Sequence, residues 1–123
     1  MVILITGKAG AGKTHYSKEL AKELIDDGER VIVLDGDELR DQTGNKDFTR
    51  EGRMKNLKKA AELAADFEKD GFIVICAFIA PFKEFRDMMR KLWAQSRVVY
   101  VPGGTLWEGS EYEVPRFLEL ETR

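Results

Sequence analysis

The chain has 123 residues, 43% hydrophobic and 34% charged, enough of each for one domain with its own core and a solvated surface. A formal net charge of -2 supplies no cationic footprint for a nucleic-acid backbone or an anionic membrane, so nucleic-acid partners are not expected and small-molecule chemistry is. The start, MVILITGKAGAGKT, has no basic segment followed by a signal-length apolar run, and no stretch approaches the roughly 20 apolar residues that span a bilayer, so a cytoplasmic location is expected.

Val2 to Thr6 is a short apolar run that stops at Gly7, the pattern of a strand buried on both faces of a parallel sheet. From Lys13 to Asp27 the spacing of Tyr16, Leu20 and Leu24 predicts a helix that closes on Gly28 in a left-handed cap. Arg30 to Leu34 reads as a second strand and leads into the acidic turn Asp35-Gly36-Asp37. A polar loop then runs to Phe48, before a long helix from about Arg50 to Asp70 that Gly71 closes. Phe72 to Ile79 is a third strand, Pro81 opens a helix to about Gln95, and Arg97 to Val101 is a fourth strand. Pro102-Gly103-Gly104 breaks the chain, and Phe117 to Glu121 is a candidate fifth strand.

Leu57, Leu63, Phe67, Met88, Met89, Leu92 and Trp93 recur at helical spacing and read as core. Cys76, the single cysteine, lies in the apolar run FIVICAF and reads as a packed hydrophobe. Strands alternating with helices predict an α/β chain: a P-loop three-layer α/β/α sandwich with a mainly parallel sheet of about five strands. Residues 1–123 form one domain in this reading, with ligands at the carboxyl ends of the strands.

The strongest chemical signal is Gly7-Lys8-Ala9-Gly10-Ala11-Gly12-Lys13-Thr14, which fits G-x-x-x-x-G-K-[ST] directly after a strand and before a helix. Such a loop turns backbone N–H groups inward around phosphate oxygens, and the helix N-terminus adds positive potential. Gly7, Ala9, Gly10, Ala11, Gly12, Lys13, Thr14 and the following His15 are therefore the candidate positions for binding ATP. Lys13 bridges the terminal phosphates as the catalytic cation, and the Thr14 hydroxyl is a ligand for Mg2+. The side chains of Lys8 and His15 are not needed by this mechanism and read as solvated.

A second signal is Asp35-Gly36-Asp37 with Arg40 one turn later, at the carboxyl end of the second strand. Asp37 there can orient magnesium-bound water or accept a proton from an attacking hydroxyl, and Arg40 can face an anionic substrate. Spacing alone fits equally well an N-cap at Asp37 and a surface Arg40.

LDGDELR at Leu34 to Arg40, FTREGRMKN at Phe48 to Asn56, and FIVICAFIAPFKEFRD at Phe72 to Asp87 resemble adenylylsulfate kinase in residue type, order and spacing, up to about Val101. The resemblance implies transfer of the terminal phosphate of ATP to the 3′-hydroxyl of adenylylsulfate. It also implies a catalytic acidic turn at Asp37 and Arg40, an adenine-stacking Phe48, and contacts of Arg53 and Asn56 with the phosphosulfate end. Ile79 and Ala80 lie at the substrate in the same correspondence. On their residues alone Phe48 reads as a staple or core aromatic and Arg53 as a solvated helix charge.

The chain departs from the family pattern at several points. Glu38 stands where the family has Asn, the loop from Arg40 to Phe48 is shorter, and Ala80 replaces a serine, which excludes a phosphoserine route there. After Val101 the basic lid is missing, and Gly109-Ser110-Glu111-Tyr112-Glu113-Val114-Pro115 resembles the segment that follows the lid. The family's last helix is missing too, which implies weak discrimination among triphosphate bases. Arg50, Arg53, Arg86 and Arg116 are candidates to replace the lid arginines, and a second subunit in a homo-oligomer is another source. Trp107 reads either as a replacement stacking ring or as a packing residue. Three functions fit these observations: a kinase for adenylylsulfate, a P-loop kinase for another hydroxyl, and a nucleotide-binding module without turnover.

Overall fold

Four five-residue runs, three of them dominated by Val, Ile and Leu and the fourth built on Val98-Val99-Tyr100, line up in parallel as β1 (Val2–Thr6), β2 (Val31–Asp35), β3 (Ile73–Ala77) and β4 (Ser96–Tyr100), in the order β2-β3-β1-β4. The computed structural model describes residues 1–36, 49–106 and 111–120. Three helices are the crossovers that parallel neighbours require: α1 (Lys13–Asp26), α2 (Arg50–Lys69) and α3 (Lys83–Lys91).

Strand alternation sorts the core into two layers. Val2, Leu4, Leu34, Val74, Cys76 and Val98 face α2 and α3, where Leu57, Ala60, Ala61, Ala64, Phe85, Met89 and Trp93 complete the larger cluster. Ile5 and Ile75 face the other way onto Ala21, Leu20 and Leu24 of α1. Full burial of side chains such as Phe85 and Met89 stabilises the fold by about 1.5–3 kcal/mol each. Burial also pushes the Cys76 thiol far above its ordinary range, in keeping with a packed hydrophobe.

The helix boundaries follow from local chemistry. The Thr49 hydroxyl accepts from Gly52 N at 3.1 Å and starts α2, while Gly28 at φ 89° and Gly71 at φ 90° carry the chain out of α1 and α2. The third helix is shorter than its apolar spacing predicts, because Phe82 is its N-cap and Leu92 its C-cap.

Several expectations need correction. Residues 117–120 of the candidate fifth strand form a 3₁₀ turn, since Glu119 N donates to Arg116 O at 3.0 Å and the carbonyl and carboxylate of Glu119 are engaged by arginines of α3. The sheet therefore has four strands among the described residues. Tyr16, Leu63 and Leu92 are exposed, because the buried stripes of their helices run instead through Ser17 and Ala21, through Ala60, Ala61 and Ala64, and through Phe85 and Met89. Among the described residues no helix is long and apolar enough to cross a membrane.

Candidate active site

The carboxyl end of β1 delivers the chain into a tight loop before α1. Gly10 at φ 74° and Gly12 at φ 102° take left-handed backbone that a side chain would strain. Gly12 is also the N-cap of α1, and no side chain caps the helix, so its first-turn N–H groups and dipole are directed at the loop. The Lys13 ammonium folds back over the loop and donates to the Lys8 carbonyl at 2.8 Å, beside the bond from Ala11 N to the same oxygen at 3.2 Å. One residue on, the Thr14 hydroxyl donates to Asp35 Oδ2 at 2.9 Å, so the end of β2 meets the first turn of α1. His15 is exposed, as its reading as a solvated side chain requires.

A second wall of the loop comes from the segment after β4. Thr105 N donates to Ala9 O at 2.9 Å in an isolated antiparallel bridge, and Val101 N donates to Thr6 O at 2.9 Å. The approach is so close that a Cβ at Gly104 would sit 2.6 Å from Ala9 O, and one at Gly7 would sit 2.5 Å from Val101 O.

Beside the loop, the ends of β2 and β3 and the turn after β3 form another wall. Asp35 pairs in register with Ala77, and Gly36 packs on the Phe78 ring so closely that a Cβ would fall 2.5 Å from it. Ile79 O accepts from the Thr6 hydroxyl at 2.5 Å, and Ala80, buried and at φ 41°, accepts from Arg86 Nη1 at 2.7 Å. The Tyr112 hydroxyl lies 2.8 Å from Thr6 Oγ1, and its ring stacks on Tyr100. Burial raises the Tyr112 pKa above the ordinary phenol value, against the opposing pull of the Thr6 bond and the Arg86 charge. Arg50 covers the rings of Phe82 and Phe85 and pairs with Glu84 at 2.7 Å, which sets the start of α2 against this turn. Arg53 and Asn56 follow on α2, both half-buried.

The structure thus brings together Gly7 to Thr14, Asp35, Ile79 and Ala80 at the carboxyl ends of β1, β2 and β3. Asp37, Glu38, Arg40, Phe48 and Trp107 lie outside the described residues. Arg86 is not a substitute for a lid arginine: it is fully buried and paired with Glu119. Sequence reasoning missed Asp35 as the partner of Thr14, having given the metal role to the second acid of Asp35-Gly36-Asp37. The signal for it was the position of Asp35 as the last residue of the strand. It also missed Thr6 and Tyr112; a hydroxyl ending an apolar run marks Thr6, whereas nothing local marks Tyr112. The donor set fits magnesium, since Thr14 and Asp35 offer hard oxygens beside a phosphate loop. Among the described residues no group of three His, Cys, Asp or Glu is arranged to hold a metal by itself.

Comparison with known proteins adds an independent finding. The family model described as adenylylsulphate kinase matches residues 1–105. The chain is 44% identical to the adenylyl-sulfate kinase of Bacillus licheniformis and 35% identical to that of Bacillus velezensis, over 98% of its own length and 68% of each relative. It spans 47% of the length of the Bacillus subtilis relative, so it corresponds to about half to two-thirds of these adenylyl-sulfate kinases. Among solved structures it is similar to the Mycobacterium tuberculosis APS kinase CysC in complex with AMPPNP and APS, with TM-score 0.76 and 26% identity over 82% of this chain and 61% of that one.

Proposed function

The chain belongs to the adenylylsulphate kinase family, and from that premise we propose that it transfers the terminal phosphoryl group of ATP to the 3′-hydroxyl of adenylylsulfate. The observation that carries the reading is the pairing of Thr14 with Asp35 at 2.9 Å beside a complete phosphate loop, in a chain whose turn after β3 lies one strand away. The Mycobacterium tuberculosis relative, solved with AMPPNP and APS, supports the two-nucleotide reading.

In this reading the backbone of Gly7 to Gly12 and the N-terminus of α1 hold the β- and γ-phosphates, and Lys13 leaves the Lys8 carbonyl to bridge them. Magnesium, when bound, neutralises the charge on those phosphate oxygens. Thr14 and Asp35 would hold it, with Asp37 as the further acid proposed from sequence. Arg40, Phe48, Arg53 and Asn56 orient adenylylsulfate, with Ile79 and Ala80 as the backbone wall. The 3′-oxygen forms a bond to the γ-phosphorus while the bond from that phosphorus to the β,γ-bridging oxygen breaks. ADP leaves with the electron pair, and the hydroxyl proton passes to Asp37. A cytoplasmic location and assembly of several copies belong to the same reading; the Thiobacillus denitrificans relative, 29% identical, is a hexameric APS kinase.

The test is phosphoryl transfer from terminally labelled ATP in the presence of magnesium, with adenylylsulfate and a panel of other hydroxyl acceptors. Product from adenylylsulfate that disappears in Lys13→Ala supports the proposal. Product from another acceptor alone, or none from any while ATP still binds, overturns it.

A further inference from the structure

We propose that the buried pair Arg86 and Glu119 is a positioning device for the phosphoryl acceptor, holding the turn at Ile79 and Ala80 in shape. The inference rests on the adenylylsulfate reading given above.

Arg86 is fully buried, and each arm of its guanidinium is engaged. Nε donates to Glu119 Oε1 at 2.5 Å, Nη2 to Glu119 Oε2 at 3.4 Å and to Glu113 O at 2.8 Å, and Nη1 to Ala80 O at 2.7 Å. A buried ion pair is a weak source of net stability compared with a well-packed apolar pair, so its presence calls for another reason. That reason is visible in what it holds. Ala80 is the non-glycine residue with positive φ among those described, at 41°, and such backbone persists only where its surroundings fix it.

The turn is fixed at three successive carbonyls. Ile79 O accepts from the Thr6 hydroxyl at 2.5 Å, Ala80 O from Arg86 Nη1 at 2.7 Å, and Pro81 O from Glu113 N at 2.7 Å. Two of these three holds depend directly on the segment 111–120, and the third, the Thr6 hydroxyl, contacts Tyr112 of the same segment at 2.8 Å. Glu113 supplies one directly, and its carbonyl and the Glu119 carboxylate aim Arg86 for the other. Arg90 anchors the same segment by donating to Glu119 O at 2.7 Å. The phosphate loop is braced differently, by Lys8 O internally and by Thr105 N on Ala9 O. Loosening the clamp therefore loosens the acceptor wall and leaves the nucleotide loop intact.

The experiment compares Arg86→Lys and Glu119→Gln, each close in size to the native residue, with the wild type. Three quantities are measured: the affinity for MgATP, the affinity for adenylylsulfate in the presence of magnesium and a non-hydrolysable ATP analogue, and the KM for adenylylsulfate. A shift of the acceptor wall by about 1 Å is expected to raise the adenylylsulfate Kd and KM about tenfold to a hundredfold. The MgATP Kd should stay within about twofold, as for an independent site. A role in stability alone would weaken both ligands together, and that result overturns the clamp. Thr6→Val, which removes the hold on Ile79 O together with the contact to the Tyr112 hydroxyl and leaves the ion pair in place, is expected to move the acceptor in the same direction and keeps the test readable if the ion-pair variants do not fold. Variants that bind adenylylsulfate as the wild type does overturn the clamp alone. A wild type that neither binds nor phosphorylates adenylylsulfate overturns the functional reading and the clamp with it.

Discussion

The hydroxyl of Thr14 donates to Oδ2 of Asp35 at 2.9 Å, joining the first turn of α1 to the last residue of β2 across 21 positions of sequence. In a phosphate loop this hydroxyl is the protein's ligand for magnesium, and an acid behind it orients the hydroxyl and the ion's water shell. Asp35→Asn keeps the shape and removes the charge. The expected outcome is a loss of about tenfold to a hundredfold in MgATP affinity, with the affinity for ATP in chelator unchanged. Titration of ATP with and without magnesium checks it; an equal loss in both conditions would show that Asp35 serves the loop and not the ion.

Gly104 lies at φ 75°, and a Cβ there would meet Ala9 O at 2.6 Å and Ala11 N at 3.0 Å. Gly104→Ala combines a backbone cost with a clash against the phosphate loop, so it should destabilise the protein by about 1–3 kcal/mol and weaken ATP binding. Gly28→Ala is the control, because Gly28 has φ 89° but nothing within 4 Å of the added atom. It should cost about 1 kcal/mol with no change in ATP affinity. Denaturant unfolding and ATP titration of both variants separate the two effects.

The phosphate loop was readable because its chemistry is local: glycines that accept left-handed backbone, a lysine and a hydroxyl lie within eight consecutive positions, Gly7 to Thr14. The strands β1 to β3 were readable for the same reason, as short apolar runs, and β4, which opens with Ser96 and Arg97, through the Val98-Val99-Tyr100 that follows. The role of Asp35 was not, since it depends on how β2 ends beside α1, and two acids one residue apart look alike in sequence. Phe117 to Glu121 suggested a strand by composition, but tertiary hydrogen bonds to Glu119 decide the conformation of residues 117–120. Arg86 was the clearest failure. A charged residue on an amphipathic helix reads as solvated or catalytic, and only a partner 33 positions away makes it a buried hub.

Cys76 sits in the middle of the sheet with no exposure, and burial raises its thiol pKa well above the ordinary value. The thiolate that reacts with disulfide reagents is therefore scarce and shielded. Native protein mixed with a chromogenic disulfide reagent at neutral pH should show almost no reaction, and one thiol should appear on unfolding in denaturant. Rapid labelling of the native protein would contradict the burial described for β3.

Glu68 supplies a pH dependence at the end of the sheet opposite the phosphate loop. Burial alone would push its carboxyl up, but the N–H of Ala94 at 2.8 Å, the N-terminal ammonium at 3.0 Å and the N–H of Gln95 at 3.2 Å outweigh burial and hold its pKa below the ordinary 4.5. A carboxylate whose pKa is lower in the folded than in the unfolded state adds stability that is fully present above the unfolded value. That stability is lost as pH falls through the folded value. Unfolding free energy should therefore decline as the pH is taken below 4.5. Glu68→Gln should lose about 1–2 kcal/mol at neutral pH and show a flatter decline in the acid window. ATP affinity should be unchanged, because these contacts lie at the amino ends of β1 and β4. Denaturant melts of both proteins across the acid range give the comparison. Equal slopes would assign the acid sensitivity to other carboxylates, and a change in ATP affinity would mean that the two ends of the sheet are coupled.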